Sequence, residues 1–584
     1  MIKKPIINDI ISVFSYLPVS RKKQLIFLIF LMLISSSLEI LTIGSVIPFL
    51  TALTSMETIK QENQFRVFFE YFGNLSNNNT ILILFVCFAV LIIFTAAVRV
   101  LVLVLNARIG YGAGLDIDKD LFYKLSNQTY LDQIQTNSST IISLISSKVG
   151  TVIRDVYISI LLLINGLFLV LASTMFLIWL QPVATLIIIC SFSLVYILIS
   201  MYFKDKLKFN SKVISVESDR FVKIIQDARG GVRDIILNSL HSFYLNLFIE
   251  TDLKLKKAFA ANLIISGTPR YIVESIGMVL LLFLGYFFIS NGNSLNSLIP
   301  IMGAIIIAIQ RLLPQLQQIY TSISNLRASR ASLIDVLDSL DKTVKKVSKK
   351  VNIDFSDALK FKNISFKYNE NSNYVFKNLS IEFKKGDIVG ITGPTGCGKS
   401  TLIDILIGHL SPIEGKYNID NSELCINNIS SWHEKVAHVP QSIFFTDASI
   451  YENIAFGKSL NNIDKERVHQ VCNIAQISSY INILPHGYNT KIGERGALLS
   501  GGQKQRIGIA RGLYKNAQVL ILDEATSGLD LKTEEKLIDA LNKLDKSMTI
   551  FMIAHRIESL KNCHYRINLS KDGTFEYINN LKPS

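Results

Sequence analysis

The chain has 584 residues, with 60 Lys and Arg against 46 Asp and Glu and a formal net charge of +14. At 49% hydrophobic residues and a mean hydropathy of +0.35, it is too long for one core and too apolar for an ordinary soluble protein. The basic excess lies beside long apolar runs, as membrane-flanking loops require, and no basic-aromatic nucleic-acid module accompanies it, so nucleic acid is not an expected partner. Six scattered cysteines without a CxxC pair argue against a zinc site or a disulfide framework.

In chain order, an apolar run from Leu25 to about Leu53 follows Arg21-Lys22-Lys23. It exceeds a signal-peptide core and no small-residue cleavage site follows, so it is read as a span. Five more apolar runs, at about 80–105, 156–180, 182–203, 264–290 and 295–320, complete six predicted transmembrane helices. Between spans 1 and 2 only Lys60 and Arg66 are basic, and the turns near Gln181–Pro182 and Asn291–Asn296 have no basic residue. The opposite side carries Arg21, Lys22, Lys23, Lys119, Lys124, Lys204, Lys206 and Lys208. This asymmetry predicts a multi-pass protein with both termini cytoplasmic.

The inner segments 106–155 and 204–263 lack Pro and are predicted to continue the membrane helices. Their polar apices, Gln133–Asn137 and Asp227–Gly231, are either plain hairpin tips or docking points for the following domain. The outer loop 54–79, with Phe65-Arg66-Val67-Phe68-Phe69-Glu70-Tyr71-Phe72, predicts a short helix on the outer membrane surface. The expected division is a transmembrane domain over 1–330, a linker over 331–354 with a basic polar tract at 338–352, and a soluble domain over 355–584 opening on a strand-turn-strand from Leu359.

The soluble part carries the chemistry. Gly393-Pro394-Thr395-Gly396-Cys397-Gly398-Lys399-Ser400 follows the apolar strand Ile388–Ile391 and precedes a helix opening at Thr401. In that strand-loop-helix setting the glycines let backbone N–H groups curl around phosphates, Lys399 reaches the β- and γ-phosphates, and Ser400 offers its hydroxyl to Mg²⁺. Cys397 fills space within the loop. Val519-Leu520-Ile521-Leu522 is a buried strand ending in Asp523, placed for the metal, and Glu524, placed for the attacking water. Leu499-Ser500-Gly501-Gly502-Gln503 opens an amphipathic helix whose bare N–H groups form a second anion site.

With these motifs in order, the stretch from about Phe361 to Leu569 resembles the nucleotide-binding domain of ATP-binding-cassette (ABC) transporters. The resemblance implies that Tyr368 stacks on adenine, that Gln441 in Val439-Pro440-Gln441 joins the metal and the catalytic water, and that Asp530 in Ser527-Gly528-Leu529-Asp530 belongs to the nucleotide-binding site, with Gly528 where Ala is usual. It further implies that His555 senses the γ-phosphate and that Gly493-Glu494-Arg495-Gly496 is the exporter-type segment before the signature. Six spans ahead of one cassette resemble an exporter half-transporter: an α-helical membrane bundle followed by an α/β phosphate-loop ATPase domain. In that family each ATP lies between one phosphate loop and the partner's LSGGQ, so the expected unit is a homodimer using ATP and Mg²⁺.

Glu39, Arg99, Arg270, Glu274 and Arg311 fall inside the spans. Charge there is costly and marks function unless internally paired, for instance Arg270 with Glu274. Ser37–Phe49, Thr268–Gly277 and Ile309–Pro314 together resemble bacterial flippases for lipid-linked oligosaccharides. That resemblance implies an inner-membrane protein moving a polyprenyl-pyrophosphate glycan outward, its pyrophosphate bound by Arg99, Arg270 and Arg311. The alternatives are export of a peptide, lipid or drug and, from another class, a non-transport ATPase with this cassette.

Overall fold

Hydrocarbon offers no partner for backbone N–H and C=O groups, so a chain crossing it by these apolar runs must close its hydrogen bonds within helices. In the computed structural model of the chain, the described residues are 6–47, 49–50, 77–180, 182–290, 295–342, 351–370, 372–526, 528, 531–542, 548–554, 560–561, 563–570 and 573–579. They form two units, Met1–Gln128 with Gln133–Val344, and Lys345–Ser584 with Thr129–Asp132.

The first unit is helical: α1 (Ile6–Ser15), α2 (Val19–Gly44), α3 (Asn77–Ser126), α4 (Tyr130–Gln135, its first residues grouped with the second unit), α5 (138–180, with π-type turns at Leu144–Lys148 and Ile153–Ile158), α6 (Pro182–Gly230), α7 (Val232–Leu237), α8 (His241–Ser290), α9 (Leu295–Ala328) and α10 (Arg330–Leu340). Among the described residues, five stretches are long and apolar enough to cross a membrane: Val19–Gly44, Ile81–Ser126, Ser138–Trp179, Thr185–Gly230 and His241–Phe283. The sixth expected span falls in α9, which is helical throughout but is not among these five. The surface helix expected over 54–79 lies outside the described residues up to 76, where α3 takes over. α3, α6 and α8 have 50, 49 and 50 residues. At 1.5 Å per residue each is roughly 75 Å long, against about 30 Å of hydrocarbon, so the Pro-free inner segments do extend the spans as helices.

Two features of this unit escape sequence periodicity. α10 buries Leu333, Val336, Leu337 and Leu340 against Val13, Ile117, Leu121 and Val149, so the stretch read as linker from 331 begins as a packed helix. Residues 343–350 of that stretch lie outside the described set. Lys148 is only 3% exposed and its ammonium sits 2.9 Å from Asp219 of α6 and 2.7 Å from Asp335 of α10. Ser143 donates to the same Asp219, and Ser215 donates to Asp335 at 2.5 Å. One buried cation thus ties α5, α6 and α10.

The second unit has two sheets. A six-stranded sheet runs in the order β10-β9-β3-β8-β7-β6, built from β3 (Ile388–Thr392), β6 (Val436–Val439), β7 (Val519–Asp523), β8 (Thr549–Ile553), β9 (Tyr565–Leu569) and β10 (Phe575–Asn579). It is parallel apart from the β9–β10 hairpin. A four-stranded antiparallel sheet, β2-β1-β4-β5, holds β1 (Ala358–Phe366), β2 (Phe376–Lys384), β4 (Glu414–Ile419) and β5 (Ser422–Glu423). β8 is buried at all five positions and β7 at its first four, which is why both read as continuous apolar runs rather than alternating ones.

The Lys148 node carries a testable consequence. Lys148→Met leaves two carboxylates without their cation, a change that costs about 1–3 kcal/mol once their partial solvent access is allowed for. The thermal midpoint of the purified chain should fall by several degrees. Asp335→Asn should cost less, because Asp219 still holds the ammonium. Unchanged midpoints in both variants would remove the node from the stability of this unit.

Candidate functional site

β3 and β7 both pair in parallel with β8, which lies between them, so the loops after β3 and β7 leave one edge of the sheet. Residues Gly393–Gly398 link β3 to the helix α11 (Lys399–Ile407). Gly393 has φ +143°, and a Cβ there would lie 2.4 Å from the Leu569 carbonyl oxygen and 2.8 Å from Cys397 Sγ. Cys397 is buried, as expected of a space-filling residue. Gly396 also has positive φ, +82°, but a Cβ there would meet nothing within 4 Å. The loop is therefore tight against β9 at one end and open at the turn carrying Pro394, Thr395 and Gly396, which are all exposed. Lys399 Nζ donates to the Gly393 carbonyl at 2.7 Å and the Pro394 carbonyl at 3.1 Å, which holds the ammonium over the loop. Ser400 is exposed at the first turn of α11, and the Thr401 hydroxyl lies 2.9 Å from the Tyr368 hydroxyl. That bond ties Tyr368, 38% exposed, to the phosphate-loop helix with part of its ring open to a flat ligand.

Asp523 ends β7. Burial holds its carboxyl above the usual carboxylate range, the charges of Glu524 and Asp404 add to this, and Lys399 opposes it. These four groups thus share one electrostatic site. Glu524 has φ +51°, left-handed for a residue with a Cβ, at a cost of about 1–2 kcal/mol. Three contacts hold it there. Its N–H donates to the Ile553 carbonyl at 3.1 Å, its own carbonyl accepts from Gln505 Nε2 at 3.3 Å, and its Oε2 accepts from Gln441 Nε2 at 2.6 Å. The structure therefore joins Gln441 to Glu524 directly. His555 and Asp530 lie outside the described residues, although β8 ends at Ile553 directly opposite Asp523.

The LSGGQ segment opens the helix α12 (Gly501–Tyr514). Ser500 Oγ accepts from the Gln503 N–H at 3.3 Å and Gln503 Oε1 accepts from the Ser500 N–H at 2.8 Å, a reciprocal cap that leaves Gly501 and Gly502 as the bare first turn. Leu499 is anchored in the core. Among the described residues no hydrogen bond joins Leu499–Gln503 to Gly393–Thr401. Gln505, which the motifs do not single out, holds the loop after β7 at two points. Besides holding the Glu524 carbonyl, its Oε1 accepts the Gly528 N–H at 2.8 Å, and a Cβ at Gly528 would lie 2.8 Å from that same oxygen. This gives Gly528 a local reason for replacing the usual Ala. The available signal was a Gln on the buried stripe of α12, which also holds Gly508, Ile509 and Gly512.

In the first unit, Glu39, 5% exposed, accepts from Arg311, and Arg99 lies 3.8 Å from the same Oε1. Glu39 Oε2 is buried without a hydrogen bond among the described residues. The three side chains line a cavity of about 490 Å³ with Thr42, Gln310 and Gln315. Two guanidiniums against one carboxylate leave one positive charge in excess, and the Arg99 side chain is 46% exposed. Arg270, the third arginine of the expected cluster, is not among the residues lining this cavity. It lies exposed on α8 and pairs with no carboxylate among the described residues, Glu274 included. The difference follows from backbone placement: Arg99 and Arg311 sit on α3 and α9 beside Glu39 of α2, whereas α8 packs chiefly on α6 and α9.

Comparison with known proteins agrees with this geometry. Residues 376–527 match the ABC transporter family profile. The chain is 37% identical over 213 residues to mouse (Mus musculus) mitochondrial ATP-binding cassette sub-family B member 10, covering 36% of this chain and 30% of that one. It is 39% identical over 215 residues to a putative export ATP-binding/permease protein of Rickettsia typhi, covering 37% of each. The match spans about a third of the length of these relatives. The solved structure of a bacterial Atm1-family ABC exporter with ATP bound superposes with a TM-score of 0.77 at 20% identity, covering 96% of each chain. The second unit is thus an ABC transporter ATPase domain. The chain as a whole has an ABC exporter fold, a helical membrane-type region followed by a nucleotide-binding α/β domain.

The phosphate loop makes a graded prediction. Gly393→Ala should abolish nucleotide binding, because its Cβ strikes backbone that cannot give. Gly396→Ala should weaken binding only about three- to thirtyfold, the cost of a strained φ without a clash. Equal affinities for the two variants in a fluorescent-nucleotide titration would contradict the loop geometry.

Proposed function

We propose that the chain is an ATP-driven exporter that works as a homodimer and moves a phosphate-bearing amphiphile outward across the inner membrane, with both termini and the ATPase domain cytoplasmic. The observation that carries the ATPase reading is the Gln441–Glu524 hydrogen bond beside Asp523 and Lys399 at the edge of β3 and β7. The open loop at Gly396 and the oxygen donors of Ser400, Asp523 and Gln441 fit a magnesium nucleotide.

In this reading Tyr368 packs on the base, and the Gly393–Thr401 backbone with Lys399 holds the phosphates. Mg²⁺, when bound to Ser400, Asp523 and Gln441, neutralises charge on the phosphate oxygens. Glu524 orients water in line with the γ-phosphorus and takes its proton; the new P–O bond forms as the bond to the β–γ bridging oxygen breaks, giving ADP and phosphate. His555 steadies the departing phosphoryl oxygens. Leu499–Gln503 presents its bare helix terminus outward, which suits capture of the γ-phosphate held by a second copy, with Asp530 at that seam. Steady-state ATPase of Glu524→Gln should fall at least a hundredfold with nucleotide binding kept, since an amide cannot take the proton; near-normal turnover would refute the assignment.

The cargo reading rests on the net positive charge of the Glu39–Arg99–Arg311 cavity. An uncompensated arginine in mid-membrane costs at least about 2.5–3.5 kcal/mol, and the oxygens of a polyprenyl-pyrophosphate-linked oligosaccharide would offset that. Arg99→Ala is the cleanest probe, since Arg311 still covers Glu39. Flipping of a lipid-linked glycan in reconstituted vesicles should drop at least tenfold while ATPase changes less than about threefold. Arg270→Ala tests separately whether the third arginine contacts cargo. Normal flipping by Arg99→Ala would end the pyrophosphate reading and leave export of a peptide, lipid or drug.

A further inference from the structure

A second basic pocket lies near the N-terminal end of α2 and beside the middle of α3, away from the Glu39 cavity. Its volume is about 480 Å³, and Arg21, Lys23, Gln24 and Arg108 line it together with Phe27 and Leu105. Lys23 and Glu39 are 16 positions apart on α2, and Arg108 and Arg99 nine apart on α3, which separates these groups by roughly 24 Å and 14 Å along the two helices.

Polarity changes at matching levels on the two helices. Along α2, Arg21, Lys23 and Gln24 give way to Phe27, 58% exposed. Along α3, read in reverse, Arg108 gives way to Leu105, where the apolar run of span 2 ends. The pocket therefore straddles the boundary between headgroups and hydrocarbon. Its charge is one-sided. Arg21 donates to Asp116 at 2.9 Å and to Gln24 at 3.0 Å, whereas Lys23 and Arg108 have no counter-ion among the described residues. Three cations against one carboxylate leave two positive charges in excess. Arg21 is also built in. Gly112 of α3 has its missing Cβ 2.7 Å from the guanidinium, so the planar group lies directly on the helix backbone.

We propose that this pocket binds the phosphate headgroup of an anionic glycerophospholipid from the surrounding leaflet. The phosphodiester oxygens meet Lys23, Arg108 and the preset Arg21, and an acyl chain runs over Phe27 and Leu105. A zwitterionic lipid would bring its own cation into a pocket already in positive excess. The site lies apart from the cargo cavity and does not depend on what the cargo is.

The test is native mass spectrometry of the full chain in detergent, titrated with phosphatidylglycerol and with phosphatidylcholine. Phosphatidylglycerol should bind at least about tenfold more tightly. Each basic residue at a membrane surface contributes about a fivefold effect, so Lys23→Gln/Arg108→Gln together should weaken phosphatidylglycerol roughly 30-fold. Arg108→Lys should keep most of the affinity, because charge dominates there. Lys204→Gln/Lys206→Gln removes equal charge from α6 and should change affinity less than twofold. ATP hydrolysis within twofold of the parent shows that a variant is folded, and Lys23→Gln alone serves if the double variant is not. Equal binding of the two lipids, full binding by the pocket variants, or an equal loss in the α6 control would each overturn the site.

Discussion

Parallel pairing of β3 and β7 on either side of β8 is the constraint on which the catalytic half depends. It sends the phosphate loop and the two carboxylates off the same edge of the sheet. The edge is then fixed by short-range contacts. Gly393 lets the loop close on β9, and Gln441 and Gln505 grip Glu524 in a left-handed conformation that its Cβ disfavours. Strain at Glu524 is thus offset by hydrogen bonds from the loop carrying Gln441 and from Gln505 of α12, and a displacement of either would alter where the carboxylate points.

The membrane half answers a different constraint. Backbone polarity is satisfied by helix formation alone, so what remains to be explained is charge. Glu39 takes both Arg99 and Arg311 and still leaves one oxygen unbonded among the described residues and one cation in excess. Lys148, at the other extreme, is buried between two carboxylates, Asp219 and Asp335. The first arrangement is open to a ligand in a cavity of about 490 Å³, and the second is a tie between helices.

Much of this was legible in the sequence because the relevant signals are local. The phosphate loop, the apolar β7 run ending in Asp523-Glu524 and the Leu499–Gln503 opening of a helix each announce their own geometry. The Pro-free inner segments likewise gave helices of about 50 residues. What escaped was non-local. Nothing in the α9 sequence says that Arg311 meets Glu39 while Arg270 does not join them, because that depends on helix packing across more than 270 positions. Gln505 looked like an ordinary polar residue next to a motif, and α10 looked like linker because its charged and apolar residues alternate too briefly to show a face.

The central claim is that one chain supplies half of each ATP site, so that two copies are needed for hydrolysis. It is tested most directly by mixing two inactive chains, Lys399→Ala and Ser500→Arg, and measuring ATPase in reconstituted vesicles. The account predicts that each chain alone is inactive and that the mixture regains hydrolysis through the single composite site built from the two intact halves. A mixture as inactive as its components, or full hydrolysis by a monomer in detergent, would contradict it.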